Sequence, residues 1–209
     1  MIRIKGVYKK YKSLVLYENL NTEFNEGRII MIKGPNGSGK SVLLKMIAGY
    51  TKCDQGIIEV DGKVIRKDVD FIPDAGIFIN APEFLSARSG FANLMYLAKI
   101  RNTAGEEEIR TYARMFHLDE QLDEKVSKYS LGMKQKLRII QAIMEEPQRL
   151  IMDEPFDALD KKSIKTLCTI MDVYRSYGKT VIFTNHIEGF DALADEIYEI
   201  DSHRLCRIK

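Results

Sequence analysis

The order of hydrophobic and polar positions predicts short strands that alternate with helices along most of the chain. Runs with strand character cover residues 1–5, 28–32, 57–60, 76–79, 150–152 and 180–183. Apolar residues recur at helical spacing over 41–49, 131–144 and 161–174. A short helix is expected after His186, and two short strands near the end of the chain. This alternation predicts an α/β fold with a parallel sheet whose faces are covered.

The middle of the chain departs from this alternation. Residues 89–117 carry two apolar stripes at helical spacing, which are Phe91, Leu94, Met95 and Leu97, and then Ile109, Tyr112, Ala113 and Phe116. We interpret this helical block as an insertion into the α/β core. The predicted organisation is one domain over 1–209, with a core of 1–80 and 136–209 and a helical subdomain at about 81–135.

Composition and charge fit a soluble chain with one core. Apolar residues make up 45% and charged residues 30%, which suffices for a buried core and a solvated surface. The net charge of +2 offers no electrostatic reason to expect a nucleic-acid partner. Cys53, Cys168 and Cys206 lack the paired spacing of a disulfide framework or a zinc site, and they fit a reducing compartment.

The sequence has no membrane segment of its own. No apolar run approaches the ~18 residues that a membrane-spanning helix needs. The first five residues alternate like a strand and do not have the pattern of a secretory signal. We therefore expect a cytoplasmic protein, whose role at a membrane, if it has one, comes through a partner.

A glycine-rich loop between a predicted strand and a predicted helix carries the clearest chemical signal. It reads Gly34-Pro35-Asn36-Gly37-Ser38-Gly39-Lys40-Ser41 and matches the phosphate-loop pattern G-x-x-x-x-G-K-[ST]. Glycines let successive N–H groups converge on phosphate oxygens, and the helix N-terminus adds its positive dipole end. Lys40 is expected to reach the β- and γ-phosphates, and Ser41 to offer its hydroxyl to Mg²⁺. The alternative is a glycine-rich turn with an incidental lysine. The position of the loop between a strand and a helix favours the phosphate loop over this alternative.

Two carboxylates follow the apolar strand 150–152. In parallel sheets, ligands bind at the carboxyl ends of the strands, so Asp153 is placed to hold the Mg²⁺ shell. Glu154 is placed to orient the attacking water or accept its proton. The alternative is a solvated acidic turn. His186 lies at the end of the next predicted strand, where a lone histidine is otherwise usually structural.

Taken in this order, the motifs resemble those of the ATP-binding cassette (ABC) family over nearly the whole chain. Residues 34–41 resemble Walker A, and residues 150–154 resemble Walker B with its catalytic glutamate, Glu154. The resemblance implies a P-loop NTPase (RecA-like) core with a parallel sheet, a small antiparallel β-subdomain and an inserted helical subdomain. It also implies ATP and Mg²⁺ as cofactors.

Other parts of the chain resemble the remaining motifs of this family. Ser130 and Gly132, at the start of a predicted helix, are similar to the family signature, which other P-loop proteins lack. Read without the resemblance, Ser130 is a helix cap, and the helix N-terminus is also an anion site. Residues 158–160, ending at Asp160, resemble the D-loop, and His186 resembles the switch histidine.

The adenine and metal positions depart in part from the family pattern. Tyr11 is the first candidate for stacking on adenine, with Tyr8 second and a buried strand aromatic as the alternative. Asn80 stands where the family places glutamine or glutamate as a further Mg²⁺ contact. Asparagine is one methylene shorter, so contact through a water and slower turnover are expected, and Glu83 is the alternative candidate for this contact.

The resemblance implies a mechanism that needs two copies and a membrane partner. ATP bound by Lys40 of one subunit would be covered by Ser130 and Gly132 of a second copy in a homodimer, and Asp160 would link the two sites. A separate transmembrane permease would hold this protein at the cytoplasmic face of the cell membrane. Residues 79–82 and 130–135 resemble the form seen in bacterial antibiotic-resistance and lantibiotic-immunity exporters, so export is expected.

A partner helix could dock on the segment before the helical block. Phe84, Leu85 and Phe91 would form an apolar groove for it, unless these side chains fill the subdomain core instead. Two other functions stay open. One is a soluble ABC ATPase in cofactor assembly, and the other is a slow ATP-binding regulatory cassette.

Overall fold

The computed structural model describes residues 1–79, 83–186 and 189–209, and the strands within them form two sheets. The larger sheet has the strand order β10-β9-β3-β8-β7-β6. These strands are β3 (Ile29–Lys33), β6 (Ala75–Phe78), β7 (Arg149–Met152), β8 (Thr180–Thr184), β9 (Glu196–Asp201) and β10 (Arg204–Arg207). All neighbours pair in parallel except β9 and β10. The predicted parallel α/β core is therefore confirmed.

The smaller sheet is antiparallel and has the order β2-β1-β4-β5. Its strands are β1 (Ile2–Tyr11), β2 (Leu14–Phe24), β4 (Gln55–Val60) and β5 (Lys63–Val64). This sheet is the antiparallel β-subdomain that the family resemblance implied. The predicted strands 1–5 and 57–60 are parts of β1 and β4, whereas hydrophobic periodicity did not predict β2.

The helices are α1 (Lys40–Ala48), α2 (Gly90–Arg101), α3 (Glu106–Met115), α4 (Leu131–Ile143) and α5 (Lys161–Ser176). The helical block is two helices, because Asn102 ends α2 with a left-handed φ of 55° and a new helix begins after Gly105. Helix α4 runs without interruption across the predicted boundary at residues 135–136. A short helix was expected after His186. This prediction was wrong for the described residues 189–195, which form turns and bends.

The central strands of the larger sheet have apolar residues on both faces. Ile29 and Met31 of β3 pack into one hydrophobic cluster with helices α2 to α5, while Ile30 and Ile32 pack into a second cluster with α1 and the antiparallel sheet. The same alternation holds along β7 and β8. Since both faces are covered, these strands are nearly continuous hydrophobic runs, as is typical of parallel sheets.

This sheet order brings three loop starts together. Strands β3, β8 and β7 are neighbours, and their carboxyl ends lead into residues 34–39, 185–186 and 153–154. Ligands of open α/β sheets bind at this edge. No helix in the described ranges combines the length and the hydropathy needed to cross a membrane.

Candidate active site

The phosphate loop connects β3 to α1 and is shaped by three glycines with positive φ. Gly34, Gly37 and Gly39 have φ values of 150°, 81° and 103°. Gly39 is the N-cap of α1 and offers no side chain to the helix, and no acidic residue lies in the first turn. The first N–H groups of α1 therefore remain available to an anion, which the helix dipole also favours. Asn36 and Gly37 are exposed, while Ser38 and Ser41 are half-buried.

Lys40 begins α1 with a side chain that is only 6% exposed. Its Nζ donates hydrogen bonds to the carbonyl oxygens of Gly34, at 2.7 Å, and Pro35, at 3.2 Å. The same ammonium lies 3.9 Å from Oε1 of Glu154. The lysine is thus held inside the curl of the loop, with its charge directed toward the acidic pair.

Thr184 at the end of β8 holds the carboxylate of Asp153 and the backbone of Glu154, the two acidic residues that follow β7. Its hydroxyl donates to Oδ1 of Asp153 at 2.6 Å and accepts the N–H of Glu154 at 2.9 Å. Sequence reasoning missed this residue. The available signal was weak, since Thr184 is a polar residue at the carboxyl end of a buried strand, next to candidate His186.

Glu154 lies at the centre of the candidate catalytic groups. Its backbone has a left-handed φ of 49°, an unusual conformation for a residue with a Cβ. Its Oε1 lies 3.2 Å from Nδ1 of His186, and Asp157 places a carboxylate oxygen within 4.8 Å of the other two side chains. Glu154, His186 and Lys40, predicted separately from sequence, are therefore neighbours.

A cleft of about 390 Å³ opens beside these groups. The residues that line it are Lys33, Gly34, Pro35, Asn36, Asn185, His186 and Glu199. The cleft is thus bounded by the phosphate loop on one side and by the residues after β8 on the other. Its position at the carboxyl edge of the parallel sheet is the one expected for a nucleotide.

The donor set near the cleft suits a hard cation. Ser41 offers a hydroxyl in the first turn of α1, and Asp153 offers a carboxylate whose Oδ1 is held by Thr184. Oxygen ligands of this kind are those that Mg²⁺ prefers. Asn80, the third predicted metal contact, lies outside the described residues, while Glu83 is exposed.

The signature residues belong to a second group. Ser130 is the N-cap of α4, and its Oγ accepts the N–H of Met133 at 3.2 Å. A Cβ on Gly132 would lie 2.7 Å from the carbonyl oxygen of Ala158, so only glycine fits there without a shift. Within the described residues, no hydrogen bond or ion pair joins Ser130 or Gly132 to the phosphate loop.

Asp160 is the N-cap of α5 and ties that helix to α4. Its carboxylate accepts the N–H of Ser163 at 2.9 Å and lies 2.8 Å from Nζ of Lys136. The hydrogen bond from Lys136, followed by that from the Ser163 backbone, holds the pKa of Asp160 well below its ordinary value. The carboxylate is therefore charged at neutral pH, and the starts of the two helices are linked.

The candidate aromatic residues have different surroundings. Tyr11 ends β1 and is 67% exposed, so its ring is accessible for stacking, whereas Tyr8 is half-buried. Phe84 and Phe91 are partly buried against the cluster of α2 to α5, which favours the core interpretation for these two side chains. Leu85 is 57% exposed.

A phosphate loop after a parallel strand, with an acidic pair at the end of a nearby strand, defines a P-loop nucleoside-triphosphate hydrolase. The family model described as ABC transporter matches residues 17–157, which is more than half of the chain. The chain therefore belongs to the ABC transporter family, as the sequence motifs suggested, and it is an ATP-binding cassette with ATPase activity.

The relatives agree with this membership. The chain is 35% identical over 206 residues to the uncharacterized ABC transporter ATP-binding protein YybJ of Bacillus subtilis, and the match covers 98% of this chain and 94% of YybJ. It is 30% identical over 199 residues to the lantibiotic transport ATP-binding protein SrtF of Streptococcus pyogenes, covering 94% and 85%. Its fold matches a dimeric post-hydrolysis structure of the cassette MJ0796 bound to ADP and Pi, with a TM-score of 0.84, 22% identity and coverage of 100% and 99%.

Thr184→Val is expected to slow ATP hydrolysis while preserving nucleotide binding. The substitution removes the hydroxyl that holds both Asp153 and Glu154. The loss of two hydrogen bonds predicts a decrease in kcat of about tenfold. Steady-state phosphate release measures this effect, and Thr184→Ser, which keeps the hydroxyl, serves as the matched control. Full activity of the valine variant, or equal loss in both variants, would contradict the role of this hydroxyl.

Proposed function

We propose that this ATPase works as an ATP-bound homodimer that powers transport, in the outward direction, by a separate membrane subunit. The observation that carries the proposal is an exposed apolar surface beside the helical subdomain, described below. The division of the nucleotide site between two regions of the chain supports the dimer. The proposed membrane partner would hold the protein at the cytoplasmic face of the cell membrane.

In this proposal the residues around the cleft have separate roles. The loop N–H groups and Lys40 bind the phosphates, and catalysis is mainly positioning and charge stabilisation. Ser41 and Asp153 would hold Mg²⁺, which supplies positive charge to the phosphate oxygens when it is bound. Glu154 accepts a proton from the attacking water or orients it, and His186, 3.2 Å away, holds this carboxylate in place.

The position of the signature residues supports a dimer. The N-terminus of α4 has no acidic residue in its first turn, so beyond the N–H that Ser130 caps it offers donors to an anion. These donors are not bonded to the phosphate loop of the same chain within the described residues. A two-fold arrangement lets each copy cover the nucleotide of the other, with Asp160 near the junction. The cassette MJ0796, which shares the fold, is dimeric in its structure.

The surface proposed for the membrane partner, here named the apolar patch, consists of Tyr50, Phe71, Tyr96 and Ile100. Their exposed fractions are 53%, 52%, 67% and 72%. The rings of Tyr50 and Phe71 are in edge contact with centroids 5.8 Å apart, and Tyr96 and Ile100 lie one turn apart on α2. Such a concentration of exposed large apolar side chains marks an interaction site.

A cleft beside the apolar patch fits a helix from that partner. The cleft has a volume of about 240 Å³, and both Tyr50 and Ile100 line it. Its floor includes Ala75 and Ile77, while Arg101 contributes charge to the lining. An amphipathic helix that lays its apolar face into a groove is a common recognition mode. This surface is proposed in place of the groove expected at Phe84, Leu85 and Phe91, because Phe84 and Phe91 are partly buried against the cluster of α2 to α5.

Identification of the membrane partner tests the proposal directly. We would tag the Glu154→Gln protein in its native host, solubilise membranes in mild detergent with Mg-ATP, and analyse the co-purified proteins by mass spectrometry. A multi-span membrane protein in near-equal amount is the expected result. A soluble partner would instead favour cofactor assembly, and the absence of any partner would favour a regulatory cassette.

The double substitution Tyr96→Glu and Ile100→Glu is expected to abolish this co-purification while leaving basal ATPase activity within about twofold, because these side chains do not line the nucleotide cleft beside the phosphate loop. Val173→Glu is the matched control, since Val173 is also an exposed apolar residue of a helix, with 46% exposure, but lies on α5. Retention of the membrane protein by the double variant would refute the apolar patch as its docking site.

The likeness to SrtF, whose name gives lantibiotic transport, suggests peptide antibiotics as the substrate class. Outward transport predicts that deletion of this protein makes its host more sensitive to an added lantibiotic. Unchanged sensitivity, with the membrane partner still identified, would reject this substrate class and leave the ATPase assignment intact.

A further inference from the structure

A tyrosine of the antiparallel sheet lies directly under the phosphate loop. Tyr17 belongs to β2, pairs with Lys9 of β1, and is completely buried. Its ring is part of the hydrophobic cluster that also contains residues of α1. Its hydroxyl has no hydrogen-bond partner within the described part of the chain. Tyr17 is therefore a polar group that points from one sheet into the base of the nucleotide site.

The hydroxyl of Tyr17 meets the loop at Gly39. A Cβ built on Gly39 would lie 3.0 Å from the Tyr17 hydroxyl oxygen and 3.2 and 3.3 Å from two ring carbons. Gly39 is the N-cap of α1, and its carbonyl oxygen accepts the N–H of Leu43 at 2.9 Å. The hydroxyl thus contacts the residue at which the loop turns into the helix that presents its N–H groups to the phosphates.

An unpaired buried hydroxyl is destabilising, so its presence calls for an explanation. Burial raises the pKa of Tyr17 well above its ordinary value, so the hydroxyl stays protonated and remains a donor. Buried polar groups without a partner are uncommon, and each costs free energy that a phenylalanine would not. Such groups are tolerated where a functional conformation makes use of them.

The loop above Tyr17 has room to change its shape. Asn36 and Gly37 are exposed, and a Cβ on Gly37 would meet nothing within 4 Å. Gly39, in contrast, is held between the hydroxyl and the first turn of α1. The exposed half of the loop therefore has open space around it, while Gly39 stays beside the hydroxyl at the start of the helix.

We propose that Tyr17 is a positioning residue for nucleotide binding. Its hydroxyl donates a hydrogen bond to a backbone carbonyl of the phosphate loop in the conformation that holds a nucleotide phosphate. The hydrogen bond raises affinity because the donor is otherwise unpaired. This inference rests on the ATP site and is independent of the dimer and of the membrane partner.

The test compares two tyrosines that each have a buried hydroxyl without a hydrogen-bond partner among the described residues. Tyr17→Phe and Tyr174→Phe each remove a buried hydroxyl that has no partner among the described residues, but Tyr174 belongs to α5 and not to the loop. Binding of ADP is measured by calorimetry, since ADP reports on the loop without hydrolysis. Tyr17→Phe is expected to weaken ADP binding about fivefold, the effect of one net hydrogen bond, and Tyr174→Phe to leave it unchanged.

Thermal unfolding and kinetics separate positioning from a purely structural role. Without nucleotide, both variants should unfold at or above the wild-type temperature, because each loses an unpaired polar group. In steady-state hydrolysis measured over a range of ATP concentrations, Tyr17→Phe should raise KM several-fold and change kcat little. Wild-type ADP affinity in Tyr17→Phe, an equal loss in Tyr174→Phe, or a lower unfolding temperature of nucleotide-free Tyr17→Phe would each overturn the proposal.

Discussion

The Glu154→Gln variant is expected to bind ATP normally and to hydrolyse it at least about a hundredfold more slowly, since a positioned general base contributes ~10²–10⁴ to the rate. Glutamine preserves the size of the side chain and one acceptor oxygen, but it cannot accept a proton at neutral pH. The carboxylate also lies 3.9 Å from Lys40 and 3.2 Å from His186, so its removal changes the charge balance of the site without opening a cavity.

Slow hydrolysis should trap the ATP-bound dimer of this variant. Phosphate release measures turnover, and light scattering with and without ATP measures the mass. Glu145→Gln, which makes the same change at an acidic residue that pairs with Arg101 and does not line the nucleotide cleft, is the control and should hydrolyse ATP at the wild-type rate. Wild-type turnover of Glu154→Gln would eliminate the general-base role, and a monomer at saturating ATP would count against the dimer.

Lys40→Ala is expected to weaken ATP binding by at least about tenfold, because hydrogen bonds that involve a charged group are the stronger class. The ammonium is nearly buried and already held by two loop carbonyls, so it is oriented before nucleotide arrives. Alanine would remove a fixed positive charge and leave the carbonyls of Gly34 and Pro35 without this donor.

The affinity of Lys40→Ala for ATP is measured by calorimetry or by competition with a fluorescent nucleotide. Lys45→Ala is the matched control, because Lys45 is a lysine in the last turn of the same helix, away from the phosphates. Equal affinity of Lys40→Ala and wild type would exclude phosphate contact by this lysine. Equal losses in the two variants would point to a change in helix α1 instead.

The parts of the site that are contiguous in sequence could be predicted from sequence. The phosphate loop and the acidic pair each follow a buried apolar strand, and a short motif contains both the geometry and the chemistry. The alternation of strands and helices was readable for the same reason, since β3, β7 and β8 are short apolar runs between turn residues.

The missed features depend on distant residues. Strand β2 mixes exposed and buried positions without strict alternation, and Asn19, with a φ of 50°, accompanies a shift in its register with β1. The break between α2 and α3 depends on a left-handed Asn102, a conformation that asparagine adopts more readily than most residues but does not require. Thr184 meets its hydrogen-bond partners only when strands β7 and β8 lie side by side. Tyr17 comes to lie beside Gly39 only when the antiparallel sheet packs under the phosphate loop. Neither contact leaves a pattern in the local sequence.

The alternation of side chains along β3, β7 and β8 has a consequence for how this protein can do mechanical work. Each of these strands contributes side chains to two hydrophobic clusters, because successive residues face opposite sides of the sheet. Loss of packing on one face of the sheet would also disturb the strands that carry the side chains of the other face, so we expect the sheet to be rigid. We therefore expect displacements driven by ATP to occur in the loops at the carboxyl edge of this sheet and as rigid shifts of the helices that pack on it.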